Sequence, residues 1–227
     1  MELEHEVWNF DPSDSVSHHI MAVAREAGGQ VFGAYDGERM IGFALSFPAF
    51  RDGGRYLHSH MAAVIPAYQA QGVGRLLKLA QREDALGRGI SLIEWTFDPL
   101  QARNANFNIN RLGAVVGRYI PNFYGASSSP LHANLPTDRL VAEWHLDSAR
   151  VRAHIDGKGV RPTASTHRIS IPNDINELRR DDPSKAAEIQ MRMRREFQEA
   201  FQQHFTVTSF VTDETNGHYL LEKNNED

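Results

Sequence analysis

The spacing of apolar and polar positions predicts helices and strands in turn along the chain. Helical spacing through Ile20, Val23 and Ala24 follows the capping residues Asp11, Ser13 and Asp14 and stops at Gly28-Gly29. Apolar runs at 31–35 and 40–47 are joined by a four-residue connection holding Asp36-Gly37, which predicts a hairpin. A polar turn from Arg51 to Arg55 leads into a third strand at 57–64. From Gly72 an apolar stripe through Leu76, Leu77, Leu79 and Ala80 predicts a helix ending near Leu86-Gly87. A strand at 90–97 ends at Asp98-Pro99, a helix runs on to Leu112-Gly113, and strands are expected at 114–119 and 140–146. This alternation predicts an α/β domain around a central sheet.

Beyond Asp147 the texture changes. Residues 150–166, with Gly157, Gly159 and Pro162, read as a solvated loop. A strand is expected at 168–171 and a helix from Pro183 to about Gln203. That helix puts Ala186, Ile189, Met193, Phe197, Ala200 and Phe201 on one face and leaves Arg192, Arg195, Glu196 and Glu199 outside it. Arg192, Arg194 and Arg195 therefore read as a solvated basic face. Strands at 206–211 and 219–221 complete the tail. The expected division is a domain at 1–146 and a C-terminal extension at 147–227 packed on the core.

Composition narrows the classes. The 227 residues are 41% hydrophobic, enough for a core, which excludes a disordered or low-complexity chain. With 24 Lys+Arg against 29 Asp+Glu the net charge is −5, which argues against a nucleic-acid partner, because phosphate neutralisation needs a basic surface. The absence of cysteine excludes disulfide scaffolds, Cys-based zinc sites and thiol nucleophiles. No apolar run approaches the ~18 residues of a membrane span, so no membrane partner is expected. The first ten residues carry three glutamates and no lysine or arginine, unlike a secretory leader, and the expected location is the cytoplasm. His18-His19 and His58-x-His60 lack a third ligand at diagnostic spacing, so no metal is expected. Ser127 to Ser129, before Pro130, read as a loop, and no Gly-x-Ser-x-Gly elbow is present.

The most informative segment is Gln69-Ala70-Gln71-Gly72-Val73-Gly74. A strand ends at Val64, Pro66 breaks it, and the two glycines open a long apolar helix. Glycines there let backbone approach a ligand, and the N–H groups of a helix start favour an anion. The segment is a pyrophosphate cradle. It is not a Walker loop, since no Gly-Lys-Ser/Thr follows, and it lacks the third glycine of a dinucleotide fingerprint.

These residues resemble the Gln/Arg-x-x-Gly-x-Gly/Ala motif of the GCN5-related N-acetyltransferase superfamily. The preceding Val64-Ile65-Pro66, the Leu-rich helix and the order strand, helix, Leu112-Gly113, strand fit the same family over roughly residues 6–146. Trp95 to Leu100, Asn104-Ala105 and Leu112-Gly113 resemble a less-studied branch of predicted acetyltransferases. The resemblance implies an α/β fold of the α+β type: a mixed, mostly antiparallel sheet flanked by helices, here with an added C-terminal strand–helix–strand unit. It implies acetyl-CoA, or another acyl-CoA, as co-substrate. Backbone groups of Ala62, Ala63 and Val64 would pair with pantetheine, and amides of Gln69, Ala70, Gln71, Gly72, Val73, Gly74 and Arg75 would hold the pyrophosphate. Asn104 would contact the cofactor arm.

Acyl transfer to an amine needs a neutral nitrogen, so a base or water relay must take its proton. In the histone-acetylating branch a glutamate on this strand does so, and counting back from Gly72 places His58 there. His58 and His60 share a strand face by alternation, and imidazole is a competent base near neutral pH. Glu94, on the next strand, is the third candidate; each of the three is also readable as an ordinary hydrogen-bonded sheet residue. The family's thiolate-protonating tyrosine, four residues before the Leu-Gly glycine, is replaced by Ile109. Tyr119 and Tyr124 lie downstream, and Tyr124 is the candidate acid. The expected activity is transfer of acetyl to a primary amine of a small molecule, with a homodimer as the candidate assembly. Rival readings are a non-catalytic CoA-binding module, a succinyl-CoA-dependent amino-acid N-acyltransferase, and an assembly protein that uses its tail to dimerise.

Overall fold

The computed structural model describes residues 2–8, 15–125, 135–159 and 167–223. The expected caps Asp11, Ser13 and Asp14, the serine loop at 127–129 and residues 160–166 lie outside them. The chain divides into two compact units, one of residues 1–95 with 145–147 and one of residues 96–144 with 148–227. The boundary expected at 146/147 rests on the change of sequence texture and the reach of the resemblance, a different criterion from compactness.

The first unit contains α1 (Glu2–Trp8), α2 (His18–Glu26), β1 (Gln30–Asp36), β2 (Arg39–Arg51), β3 (Gly54–Val64), α3 (Val73–Gly87) and the start of β4 (Leu92–Phe97). Ser17 caps α2, its hydroxyl accepting from the Ile20 amide at 3.4 Å. Strands β1 to β3 form an antiparallel meander, and β4 joins β3 in parallel. The polar turn read at 51–55 shrinks to Asp52-Gly53, both at positive φ, because Arg51 still pairs with Gly54. Leu3, Ala24, Ile41, Phe43, Leu45, Ala63 and Ile65 make the core under α1 and α2. A Cβ at Gly29 would lie 2.1 Å from the Ser46 carbonyl oxygen, so β2 can pass this point only against glycine.

The second unit contains α4 (Ala102–Asn106), a π-helical turn (Phe107–Arg111), β5 (Val115–Ile120), all but the last residue of β6 (Arg139–His145), α5 (Ala149–Ile155), β7 (His167–Pro172), α6 (Ile175–Asp181), α7 (Pro183–Gln202), β8 (Phe205–Thr212) and β9 (Asn216–Lys223). Its strands run in the order β6-β5-β8-β9-β7, with antiparallel pairing. The helix expected to reach Leu112 widens into the π turn, where the Leu112 amide reaches back to Phe107 O at 3.1 Å. Asn110 on that turn bonds both the amide and the carbonyl of Phe210 on β8.

The loop expected from residue 150 is instead α5. Ser148 caps it, and Val151 and His154, one turn apart, are buried. The helix is legible only through that three-residue spacing, because its apolar residues Ala149, Val151, Ala153 and Ile155 otherwise alternate with polar ones as in a strand. The solvated arginine face also fails at one residue: Arg194 turns in and holds the buried Asp138 through two bonds, of 2.6 and 2.8 Å. Trp144, Phe197 and Tyr219 fill the core, with the Trp144 Nε1–H donating to Leu112 O at 2.7 Å. The fold is the expected one: mixed α/β with mostly antiparallel strands and, among the described residues, seven α-helices.

Candidate active site

The site is built at the end of β3. Leu45 on β2 faces Met61, and Ser46 faces Ser59, so His60 is an extra residue on β3, a β-bulge. The described ladder between β3 and β4 consists of Leu57 with Ile93 and His58 with Glu94. Past His58 the strand bends at the bulge and continues against β2 through Ala62, Ala63 and Val64. Bulges bend a strand and re-aim its side chains, and this one stands where the parallel pairing stops.

The chain then turns through Ile65 and a 3₁₀ turn at Pro66–Tyr68. The Gln69 side-chain amide donates to Val64 O at 3.0 Å, and that of Gln71 donates to Ala67 O at 2.8 Å, bracing the loop on itself. Ala70 (φ 62°) and Gly72 (φ 88°) both adopt left-handed backbone. Nothing lies within 4 Å of a Cβ built on Gly72, so its conformation and not its space calls for glycine. The first helical bond of α3 runs from the Leu76 amide to Gly72 O at 3.0 Å, so the amides of Gly72, Val73 and Gly74 precede the helical ladder. No side chain caps this end. Exposed backbone N–H groups and a 15-residue helix dipole converge there, an arrangement that accepts a phosphate-like anion.

Two imidazoles stand beside the bulge. The rings of His58 and His60 lie 6.3 Å apart, and the Phe47 ring lies 5.6 Å from His60. Burial pulls the His60 imidazole below its ordinary range, so it is neutral at pH 7 and offers a lone pair. Glu94, buried and in register with His58, is bound through both carboxylate oxygens by Arg51: Nη1 donates to Oε2 at 3.0 Å and Nη2 to Oε1. Arg51 escaped the sequence reading because its partner is 43 positions away and is met only if β2 runs its full length.

On the α3 side of β3, Lys78 is buried, donates to Ser59 Oγ at 2.8 Å and sits 3.9 Å over the Trp95 ring. Burial pulls its ammonium down to about 7. Gln81, Ser46 and Gln30 continue the polar network. The signal for this cluster was present, since Lys78 and Gln81 fall on the buried face of α3 with Leu77 and Ala85.

The remaining candidates belong to the second unit. Asn104 is exposed on α4. Tyr124 is 46% exposed, its hydroxyl 3.2 Å from Thr96 Oγ1 and its ring 5.1 Å from the Arg139 guanidinium. Ile109 is fully buried in the π turn. The Tyr119 hydroxyl donates to Asp138, and burial together with that bond pushes the phenol far above its ordinary range. Among the described residues no three or more His, Asp or Glu side chains form a metal-binding group. His58, His60, Glu94, the 62–64 edge and the 69–75 loop thus share the first unit, with Asn104 and Tyr124 in the second.

A sequence model of the Acetyltransferase (GNAT) family matches residues 1–113. No curated protein matches the chain. Among solved structures, the ribosomal-protein-S18-alanine N-acetyltransferase of Escherichia coli is 19% identical with a TM-score of 0.51, covering 65% of this chain and 86% of its own. Naa50 of Arabidopsis thaliana, solved with the bisubstrate analogue CoA-Ac-MVNAL, is 17% identical with a TM-score of 0.50, covering 63% and 87%. Aminoglycoside 6'-acetyltransferase type Ii is 16% identical with a TM-score of 0.50, covering 65% and 87%. At these identities the likeness is one of fold.

Proposed function

Because the chain belongs to the GCN5-related N-acetyltransferase superfamily, we propose that it is an acyl-CoA-dependent N-acyltransferase, moving acetyl from acetyl-CoA to the primary amine of a small molecule. The observation that carries this reading is the pair of left-handed residues Ala70 and Gly72 with the uncapped start of α3, placed beyond the bulged end of β3. Amides from Gln69 to Arg75 hold the pyrophosphate, and the backbone of Ala62, Ala63 and Val64 takes the pantetheine arm as an added strand. Asn104 contacts that arm. Residues 1–146 form the transferase domain and 147–227 its extension.

Acyl-CoA supplies the activated thioester carbonyl. His60, neutral through burial, accepts the proton of the attacking amine at a ring nitrogen. His58 stands beside it as the second imidazole. Glu94, whose carboxylate oxygens are both on Arg51, fixes that cation at the strand junction. Tyr124 returns a proton to the departing thiolate. Much of the rate comes from holding amine and carbonyl in line, which needs few reactive side chains. The aliphatic Ile109, buried where the family carries its tyrosine, favours a second reading, a CoA-binding module without turnover.

A thiol-release assay separates the two readings. The chain has no cysteine, so every thiol that reacts with Ellman's reagent comes from CoA. Acetyl-CoA and succinyl-CoA, tested against a panel of small amines, are expected to give amine-dependent release with acetyl-CoA, reduced on the order of 100-fold in His60→Gln. Binding of CoA with no release from any amine would support the module. The reading places the protein in the cytoplasm as a homodimer, and sedimentation equilibrium at twice the chain mass is the expected result for the assembly.

A further inference from the structure

The second unit carries a cluster that transfer from CoA does not use. Ser170 on β7 and His218 on β9 face each other in antiparallel register, and Ser170 Oγ lies 2.8 Å from His218 Nδ1. On the far side of the ring, His218 Nε2 lies 2.7 Å from Asp213 Oδ2. Asp213 opens the β8–β9 turn, and its Oδ1 accepts from the amides of Thr215 at 2.9 Å and Asn216 at 2.8 Å, which fixes the carboxylate. The His218 hydrogen bond, followed by these amides, holds the Asp213 carboxyl far below the usual carboxylate range.

A carboxylate can only accept, so Nε2 carries a ring hydrogen, and in the neutral ring Nδ1 offers its lone pair to the Ser170 hydroxyl. His218 is buried, whereas Ser170 is half-buried and lines an open cavity of about 680 Å³. Leu178 and Ile189 give that cavity apolar wall, and Lys185 and Arg192 stand in it among the carboxylates of Asp174, Glu177, Asp181 and Glu214. Arg192 donates to the Ser170 carbonyl oxygen at 2.7 Å, which docks a cation at the serine itself. A cross-strand Ser–His pair needs no acid behind the imidazole and no cavity lined by its serine. This one has both.

We propose that Ser170, His218 and Asp213 form a second active site, a nucleophilic serine that hydrolyses small, polar carboxylic esters. Ser170 Oγ attacks the ester carbonyl carbon as its proton passes to His218 Nδ1. Collapse of the tetrahedral oxyanion breaks the C–O bond to the alcohol, which leaves with the proton returned by His218. Water then attacks the acyl-serine ester, giving its proton to His218, and releases the carboxylic acid with Ser170 restored. Asp213 orients the imidazole and stabilises its protonated form. Arg192, which bonds the Ser170 carbonyl oxygen, is the cation the structure places at this residue to offset the oxyanion.

The cysteine-free chain offers a direct test, run without any CoA. Ser170→Cys introduces the only thiol, and its alkylation by iodoacetamide is followed against pH. If His218 activates this position, the thiol titrates at least one unit below the ordinary ~8.5 and returns to it in Ser170→Cys combined with His218→Gln. In the native chain, a fluorophosphonate probe is expected to add one label, located at Ser170 by peptide mass spectrometry. Labelling and p-nitrophenyl acetate turnover should slow on the order of 100-fold in His218→Gln. An alkylation profile indifferent to His218, or a native Ser170 that takes no label, would overturn the proposal.

Discussion

Replacing Lys78 by methionine tests the electrostatics of the first unit. Methionine keeps an unbranched chain over the Trp95 ring and removes the titrating nitrogen, while Ser59 keeps Gln81 as partner. Burial holds the Lys78 ammonium at about 7 in the folded chain, against ~10.4 when unfolded. Between these values the unfolded chain binds the proton that the folded chain has released, so stability rises with pH across the window. Near and below pH 6 both states are protonated and the contribution is flat. From pH 7 to pH 9 the linkage integrates to a gain of about 2 kcal/mol for the native chain, which Lys78→Met lacks. Urea denaturation of both proteins at pH 6, 7, 8 and 9 cancels every other titrating group in the difference. The variant should be the more stable at pH 7, with its advantage shrinking by about 2 kcal/mol at pH 9. Parallel stability curves across this range would refute the assignment of a depressed, buried ammonium.

Two further outcomes follow from the same reasoning. Because burial lowers the His60 imidazole, the acid limb of kcat/KM should lie below the ordinary ~6.5, leaving neutral pH on the plateau, and His60→Gln should abolish that limb. A limb that persists unchanged in the variant would remove His60 from the proton path. For Asp138, burial raises the carboxyl, but the bonds from Arg194 and Tyr119 outweigh it and hold the group below its usual range. Arg194→Met should therefore cost about 3 kcal/mol near pH 7 by leaving a buried charge without its cation. That contribution is complete above the unfolded value of ~3.9 and is lost as pH falls through the folded one, so the gap between native and variant melts should narrow at pH 3.

Contiguous features were legible in the chain. The meander β1 to β3, the loop at 69–75 and α3 are each written in one short segment, where alternation, Pro66, Gly72 and the leucine stripe act locally. Features that depend on register were not. Alternation alone puts His58 and His60 on one face but carries no sign of the bulge at His60, which exists only in the offset between β2 and β3. The Arg51–Glu94 pair depends on how far β2 extends. The relay of Ser170, Asp213 and His218 joins two strands and a turn, with 48 positions between its serine and its imidazole. The helix α5 was hidden because its apolar residues alternate with Arg150, Arg152 and His154, and only Val151 and His154 mark its buried face.

Thermal denaturation with acetyl-CoA, succinyl-CoA and free CoA, against ATP and NAD, tests the acyl-CoA cradle most directly, with Gly72→Asp as companion. Aspartate tolerates the left-handed backbone at that position and sets a carboxylate where the pyrophosphate would lie. Ligand at 100 times its dissociation constant stabilises by roughly 2.7 kcal/mol, a shift of roughly 5–10 °C for a chain of this size. The account predicts such a shift with CoA compounds in the native chain, none with ATP or NAD, and its loss in Gly72→Asp. A native chain whose melting is indifferent to every form of CoA would contradict it.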